Sequence, residues 1–236
     1  MKKVFAFVAM AVAFVGIANA QLSVNAGYTG KNVHVNDQYT LGSTTYTYDT
    51  TMTMGAGFFV GASYNLELMD GLSVAPGLYF SYNGKTDKSH SSLLGYNVDT
   101  EVKTTMMDLN IPILLNYKMM LTDDLGIFAF AGPNIQLGLS AKTVTTVTTS
   151  GAPIAALNGT ATTENNLYAK DNGENQADLT TFDLGVMVGV GAMYQNIRLQ
   201  VGYNMGMMDR DPYQEQSGEK FTTKFNQFFV GLGYAF

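Results

Sequence analysis

The closing stretch FNQFFVGLGYAF (Phe225 to Phe236) alternates with a period of two. Phe228, Val230, Leu232, Tyr234 and Phe236 fall on one face, and Phe229, Gly231, Gly233 and Ala235 fall on the other. Period two is the mark of a strand, whose successive side chains point to opposite faces. The constraint lies in the second face. A sheet with one buried side turns Lys, Glu and similar solvated groups outward on the other. Here the second face is dominated by small residues. The pattern recurs along the chain. Leu22, Val24, Ala26 and Tyr28 alternate with Ser23, Asn25, Gly27 and Thr29, and Phe58, Val60, Ala62 and Tyr64 with Phe59, Gly61, Ser63 and Asn65. Met107, Leu109, Ile111, Ile113, Leu115 and Tyr117 alternate with Asp108, Asn110, Pro112 and Asn116. Leu184, Val186, Val188 and Val190 alternate with Asp183, Gly185, Gly189 and Gly191.

Counting further runs at 72–82, 127–140 and 197–207 gives eight strands. No helical period is sustained, and no apolar run after the first twenty residues is long enough for a membrane-spanning helix. Large apolar residues on one face and small ones on the other suit a narrow barrel in lipid, with the large face outward. A closed barrel also leaves no unpaired edge in hydrocarbon. The expected fold is therefore all-β, an eight-stranded antiparallel transmembrane up-and-down β-barrel. Tyr28, Tyr64, Tyr82, Tyr117, Tyr194, Tyr203 and Tyr234 lie near strand ends on the outer face, where aromatic girdles form. Connections at 66–71, 119–125 and 195–196 are short. Those at about 31–51, 84–100, 141–176 and 209–220 are long and polar, and are expected as four long outer loops. Pro76, Pro112 and Pro133 cannot donate to a ladder, so ladder irregularities are expected beside them. The phase of the 127–140 stretch switches near Gly132-Pro133, which reads as a bulge or bend.

Composition agrees. Charged residues make up 14%, against about a quarter in soluble domains. The 13 Lys and Arg against 19 Asp and Glu exclude nucleic acid as the expected partner. With no cysteine, disulfide scaffolds, Cys zinc sites, thiol nucleophiles and a lipid-anchored cysteine are excluded. Lys2 and Lys3, the apolar run Val4 to Ile17 and the small-x-small Ala18-Asn19-Ala20 form a secretory leader. Residues 1–20 are thus expected to be removed, leaving 21–236 as the barrel.

LNIPILLNYK (Leu109 to Lys118), FAGPNIQLGLS (Phe130 to Ser140), FDLGVMVGVGAMY (Phe182 to Tyr194) and the terminal aromatic strand resemble the PorT-like outer-membrane β-barrel family of Bacteroidota, of the small OmpX/OmpA-barrel type. The resemblance implies a bacterial outer-membrane location and little about activity. Phe236 resembles the C-terminal signal read by barrel-assembly machinery.

No catalytic set, cofactor or metal site is expected. His90 with Asp87, Ser89, Ser91 and Ser92 can be written as a hydrolase set, but a loop rich in Ser and Asp supplies such sets by chance, and geometry decides. Asp209, Asp211, Glu215 and Glu219 read as a solvated acidic loop in preference to a divalent-cation site. Asp108, Asn110, Asn116, Asp183, Arg198, Gln200 and Gln227 are expected to line the lumen, as a hydrogen-bonded plug in preference to a conduit, since eight strands enclose little more than their own side chains. The threonine-rich 141–176 segment with its GAPIAALNG tip, and Tyr39, Tyr46 and Tyr48, offer contact surface. The expected function is a non-enzymatic outer-membrane barrel presenting extracellular loops for binding or adhesion and supporting the envelope. A narrow porin-like channel is the alternative, and secretion-machine assembly a weaker one. Expected partners are outer-membrane lipid and lipopolysaccharide, barrel-assembly machinery and an extracellular ligand on the loops. Both termini are expected to be periplasmic.

Overall fold

The computed structural model describes residues 20–41, 43–93, 96–151, 157–169, 179–212, 215–216 and 219–236. The leader reading therefore lies, apart from Ala20, outside the described residues, as does most of the GAPIAALNG tip. The described strands are β1 (Ala20–Leu41), β2 (Thr44–Met69), β3 (Leu72–Leu93), β4 (Tyr96–Met120), β5 (Leu125–Ser150), β6 (Gly159–Asn166), β7 (Phe182–Tyr194), β8 (Ile197–Gly206), β9 (Glu215–Gln216) and β10 (Glu219–Ala235). All described pairings are antiparallel. Eight strands form a ring in the order β1, β2, β3, β4, β5, β7, β8, β10, and β10 closes on β1. Among the described residues β6 pairs only with β5, and β9 only with β10. The architecture is an eight-stranded antiparallel barrel.

Asp70-Gly71, residues 121–124 and Gln195-Asn196 close one end with tight turns. The other end is not made of open loops. β1 and β2 stay paired out to Leu41 opposite Thr44, β3 and β4 to Leu93 opposite Tyr96, and β4 and β5 to Asn97 opposite Ser150. The stretches expected as loops at 31–51 and 84–100, and the first part of 141–176, are therefore largely strand. Their threonines, valines and tyrosines are β-branched and aromatic residues that suit a pleated surface. Pairing of β2 with β3 stops at Ala56 opposite Gly84. Above that level the ring divides into two ribbons, one of β10, β1 and β2, the other of β3, β4, β5 and β6. Strands of 22 to 26 residues are about twice the 9–11 residues a membrane crossing needs.

Pro76, Pro112 and Pro133 each sit where one neighbouring ladder is interrupted and the other continues. The register skips Tyr64 and Asn65 opposite Ala75 and Pro76, Gly77 and Leu78 opposite Ile111 and Pro112, and Ile113 and Leu114 opposite Gly132 and Pro133. The missing N–H thus faces a skipped pair. The expected bulge at Gly132-Pro133 is displaced. The inward phase runs unbroken through Phe128, Phe130, Asn134 and Gln136, and the register shifts instead at Leu139, which is extra against Met107 and Asp108. Phe128 and Phe130 are inward aromatics, which made the apolar phase of the sequence change before the backbone did. A second shift leaves Met54 extra opposite Lys31 and Asn32, beside Gly55 at φ 111.

Outer-face residues such as Leu22, Val24, Phe58, Val60, Ile113, Leu115, Leu199 and Leu232 are exposed and form an apolar belt. The tyrosines mark its edges. Tyr64, Tyr117, Tyr194 and Tyr234 register near the tight turns, while Tyr28, Tyr82 and Tyr203 register toward the ribbons. On β3, Leu72 lies opposite Tyr117, and Tyr82 comes ten residues later. At about 3.3 Å per residue and a tilt near 40°, that spacing is about 25 Å, the height of a lipid-facing band.

Candidate functional site

The barrel interior is a layered stack of inward side chains. Its middle is aromatic. Phe59, Phe128, Phe130 and Phe229 are buried, with Phe59 edge-on to Phe229 at 5.6 Å and Phe130 stacked on Phe229 at 6.2 Å. Tyr79 meets Phe59 edge-on at 6.1 Å. The inward glycines provide the room. A Cβ at Gly189 would stand 2.2 Å from Phe130, at Gly191 2.3 Å from Phe128, at Gly202 2.4 Å from Phe229 and at Gly231 2.5 Å from Phe59. The small face of the sequence is thus the complement of a few large rings. The space left among these residues is a cavity of about 50 Å³, enough for a few waters at about 10–15 Å³ each.

Above the rings is an amide layer. Asn134 Nδ2 donates to Asn110 Oδ1 and Asn204 Oδ1, both at 3.1 Å, and Asn110 Nδ2 donates to Ser81 Oγ at 3.2 Å. Gln227 Nε2 donates to Thr29 Oγ1 at 2.5 Å, and Asn83 Nδ2 reaches the carbonyls of Thr29 and Gly55. Buried polar groups need such partners to offset lost hydration.

Toward the ribbons lies a buried charge layer. Lys31 Nζ donates to Asp108, and both side chains are fully buried. Asp183 accepts from the Met208 amide at 3.2 Å. Arg210 is fully buried, donating from Nε and Nη2 to the Thr180 carbonyl at 2.8 and 2.6 Å and from Nη2 to Tyr168 Oη at 2.7 Å. Its guanidinium lies 4.9 Å from the Phe225 ring centre. Leu167, Tyr168 and Leu179 pack onto Val33, Met106, Ala141 and Phe225. Backbone bonds from Leu167 to Ala141, Leu179 to Leu167 and Gly138 to Thr181 hold this cap across the mouth. Burial pushes the Tyr168 phenol up to about 12, with the Asp108 charge adding to it.

Of the residues expected in the lumen, Asp108, Asn110, Asn116, Asp183 and Gln227 are buried there, and Arg198 and Gln200 line the central cavity half-buried. Arg198 and Asp183 belong to opposite ends and do not meet. Lys31 and Arg210 are functional-layer residues that lay in stretches expected as outer loops. One available signal for Lys31 was that it continues the inward parity of Asn25, Gly27 and Thr29. Arg210 had none, because its position depends on the cap. Tyr28, Tyr117, Tyr194 and Tyr234 are exposed on the outer wall, with Tyr64, Tyr82 and Tyr203 half-buried on the same side. Phe236 is exposed, and its amide donates to the Leu22 carbonyl at 2.8 Å.

On the ribbons, His90 meets Asp99 at 2.6 Å, both exposed, and half-buried His34 lies 3.6 Å from exposed Asp49. Strand alternation puts Asp87, Ser89 and Ser91 on the face opposite His90 and leaves only Ser92 of the set written from sequence on its face. Asp209 Oδ1 accepts from the amides of Asp211 and Thr223 at 3.0 and 2.8 Å, a turn-capping role, while the side chains of Glu215 and Glu219 lie outside the described residues. Tyr39 stacks on Tyr46 at 5.1 Å, and with Leu41 and Tyr48 these exposed residues form an apolar face at the end of the first ribbon.

A family model described as an outer membrane protein beta-barrel domain matches residues 14–211. No curated protein matches the chain. Among solved structures, the attachment invasion locus protein Ail of Yersinia pestis is 12% identical with a TM-score of 0.33, covering 92% of this chain and 99% of Ail. OprG of Pseudomonas aeruginosa is 10% identical with a TM-score of 0.39, covering 92% and 96%. The outer membrane protease OmpT of Escherichia coli is 10% identical with a TM-score of 0.30, covering 93% and 97%. Likenesses at this level do not bear on function.

Proposed function

Because this chain belongs to the outer membrane protein beta-barrel domain family and is thereby an integral outer-membrane protein, we propose that it is a non-enzymatic barrel that presents its ribbons outside the cell for binding or adhesion and supports the envelope. One observation carries this reading. The barrel fills its own lumen with rings and amides, while strands of up to 26 residues run far past what a membrane crossing needs. Sequence invested in surface, with none left for a passage, is the layout of a presenter. The stacked face of Tyr39, Leu41, Tyr46 and Tyr48 supplies rigid contact area of the kind that anchors protein partners. In this reading the ribbons are extracellular, both termini are periplasmic, and lipid and lipopolysaccharide surround the tyrosine-edged belt. In the same reading the chain groups with the PorT-like barrels of Bacteroidota that its LNIPILLNYK and FAGPNIQLGLS strands resemble, and Phe236, whose amide donates to the Leu22 carbonyl, serves as the signal for the barrel-assembly machinery.

The residual cavity on the barrel axis favours one competing reading, a narrow channel for ions or very small solutes. The leaderless chain, refolded in a planar bilayer, tests the two. We expect no discrete current steps from folded protein. Steps that change when Asp108 and Arg198 are neutralised would overturn the presenter reading. Deleting 143–174 is expected to weaken binding to host or cell surfaces and to leave the bilayer silent.

A further inference from the structure

The charges inside the barrel are not evenly matched. At the ribbon end two cations, Lys31 and Arg210, share their layer with two carboxylates, Asp108 and Asp183. At the tight-turn end Arg198 stands alone. No carboxylate lies within ion-pair distance of it among the described residues. Its guanidinium carbon sits 4.3 Å from the Phe128 ring centre, and Nη1 reaches Ser23 Oγ at only 3.4 Å. Its Nε is buried and makes no hydrogen bond. A cation drawn half out of water without a counter-charge is under-compensated, and a buried donor without an acceptor adds to that cost.

Arg198 also borders two cavities, the central one of about 50 Å³ and one of about 70 Å³ at the tight-turn mouth. Asn65 and Asn116 line both. Asn65 Nδ2 donates to Ser23 Oγ at 3.1 Å, and Asn116 Nδ2 donates to Asn65 Oδ1 at 3.3 Å, which leaves each amide nitrogen a second hydrogen to give. A cation and two amide donors therefore border space the size of a small ion, while the Ser23 hydroxyl holds Arg198 and Asn65 from behind. Glu67 and Lys118 on the rim of the lower cavity carry opposite charges and do not alter the sum.

We propose that the tight-turn end of the lumen binds a small inorganic anion, held by the Arg198 guanidinium with the amides of Asn65 and Asn116, Ser23 positioning Arg198 and Asn65 behind them. The site is a counter-ion site that completes the plug. It makes barrel stability depend on which anion is present as well as on ionic strength. Chloride and a small oxyanion share the required chemistry, and the test separates them.

The leaderless chain is refolded in detergent micelles and melted in sodium chloride, sodium phosphate and sodium gluconate at equal ionic strength, gluconate being too large for the cavities. We expect Tm to rise by several degrees in chloride or in phosphate over gluconate, the larger rise identifying the occupant. Arg198→Gln should remove the difference. Ser23→Asp, which places a carboxylate beside the guanidinium, should also remove it while keeping the barrel folded. Anion-independent melting of the wild type, or an unchanged anion effect in either folded variant, would overturn the proposal. The wild type provides a reading that needs no variant: binding of either anion should show as 35Cl line broadening for chloride or 31P line broadening for phosphate, and absence of both counts against the site.

Discussion

Replacing Gly231 by alanine is the most direct test of the idea that inward glycines exist to hold aromatic rings. An ideal Cβ there would lie 2.5 Å from Phe59 Cζ, while the nearest backbone atom, the Ala26 carbonyl oxygen, is 3.2 Å away. Carbon atoms rest at about 3.5–4.0 Å, so the ring must retreat by about 1 Å. It has little room to do so. Phe59 is 6% exposed and is held edge-on by Phe229 and Tyr79. Overpacking of this kind costs about 1–3 kcal/mol. Phe59→Ala alone should cost about 3–5 kcal/mol through the lost ring and the cavity it leaves. In the double variant the added methyl meets no ring, so the Gly231→Ala penalty should largely disappear. The expected coupling is about 1–3 kcal/mol, within the range seen for residues in direct contact. Urea titration of the four barrels in lipid vesicles, followed by the shift of folded against unfolded bands on a gel, measures the cycle. Costs that add to within about 0.5 kcal/mol would refute ring accommodation as the reason for the glycine.

Three further outcomes are expected. Lys31→Met should cost about 3–5 kcal/mol by leaving Asp108 buried without its cation, and Lys31→Met with Asp108→Leu should recover most of that, because removing both charges also removes both desolvation costs. The same urea titration measures it. Arg210→Ala should release the cap, read as at least tenfold faster hydrogen exchange of the Leu179 and Thr180 amides with the aromatic layer unchanged. Tyr168 is kept neutral in the folded state, so its contribution to stability is full below the ordinary phenol value near 10 and is lost as pH rises toward about 12. Tyr168→Phe should melt less steeply than the wild type between those values, and identical alkaline profiles would count against burial as the cause.

Much of the barrel was legible in the residues because a strand writes its two faces in alternate letters. Leu109, Ile111 and Ile113 against Asp108, Asn110 and Pro112 give both the strand and its sidedness. A membrane exterior then follows from the absence of solvated charge on either face. The prolines could be read in the same way, since a missing N–H is a local fact. The ribbons were not legible as strand. Threonine and serine in 141–150 suit a loop as well as a ladder, and only pairing with β4 and β6 decides between them.

The lumen belongs to the tertiary structure for a different reason. Alternation says that Gly189, Gly191, Gly202 and Gly231 point inward, and it is silent on whether they leave a path or receive a side chain from a nearby strand. Phe59, Phe128, Phe130 and Phe229 reach them from other strands, over sequence distances that no local pattern spans. Lys31 and Arg210 show the same limit. A charged residue at the edge of a polar segment reads as solvated, and it becomes a buried core group only when the closed ring brings Asp108 to Lys31 and the cap brings the Thr180 carbonyl to Arg210. The sequence by itself determined which side of each strand meets lipid, because that depends on single side chains and the period of the backbone. Strand pairing and the closure of β10 on β1 decided what fills the interior, because filling depends on distances between side chains that only the assembled ring brings together.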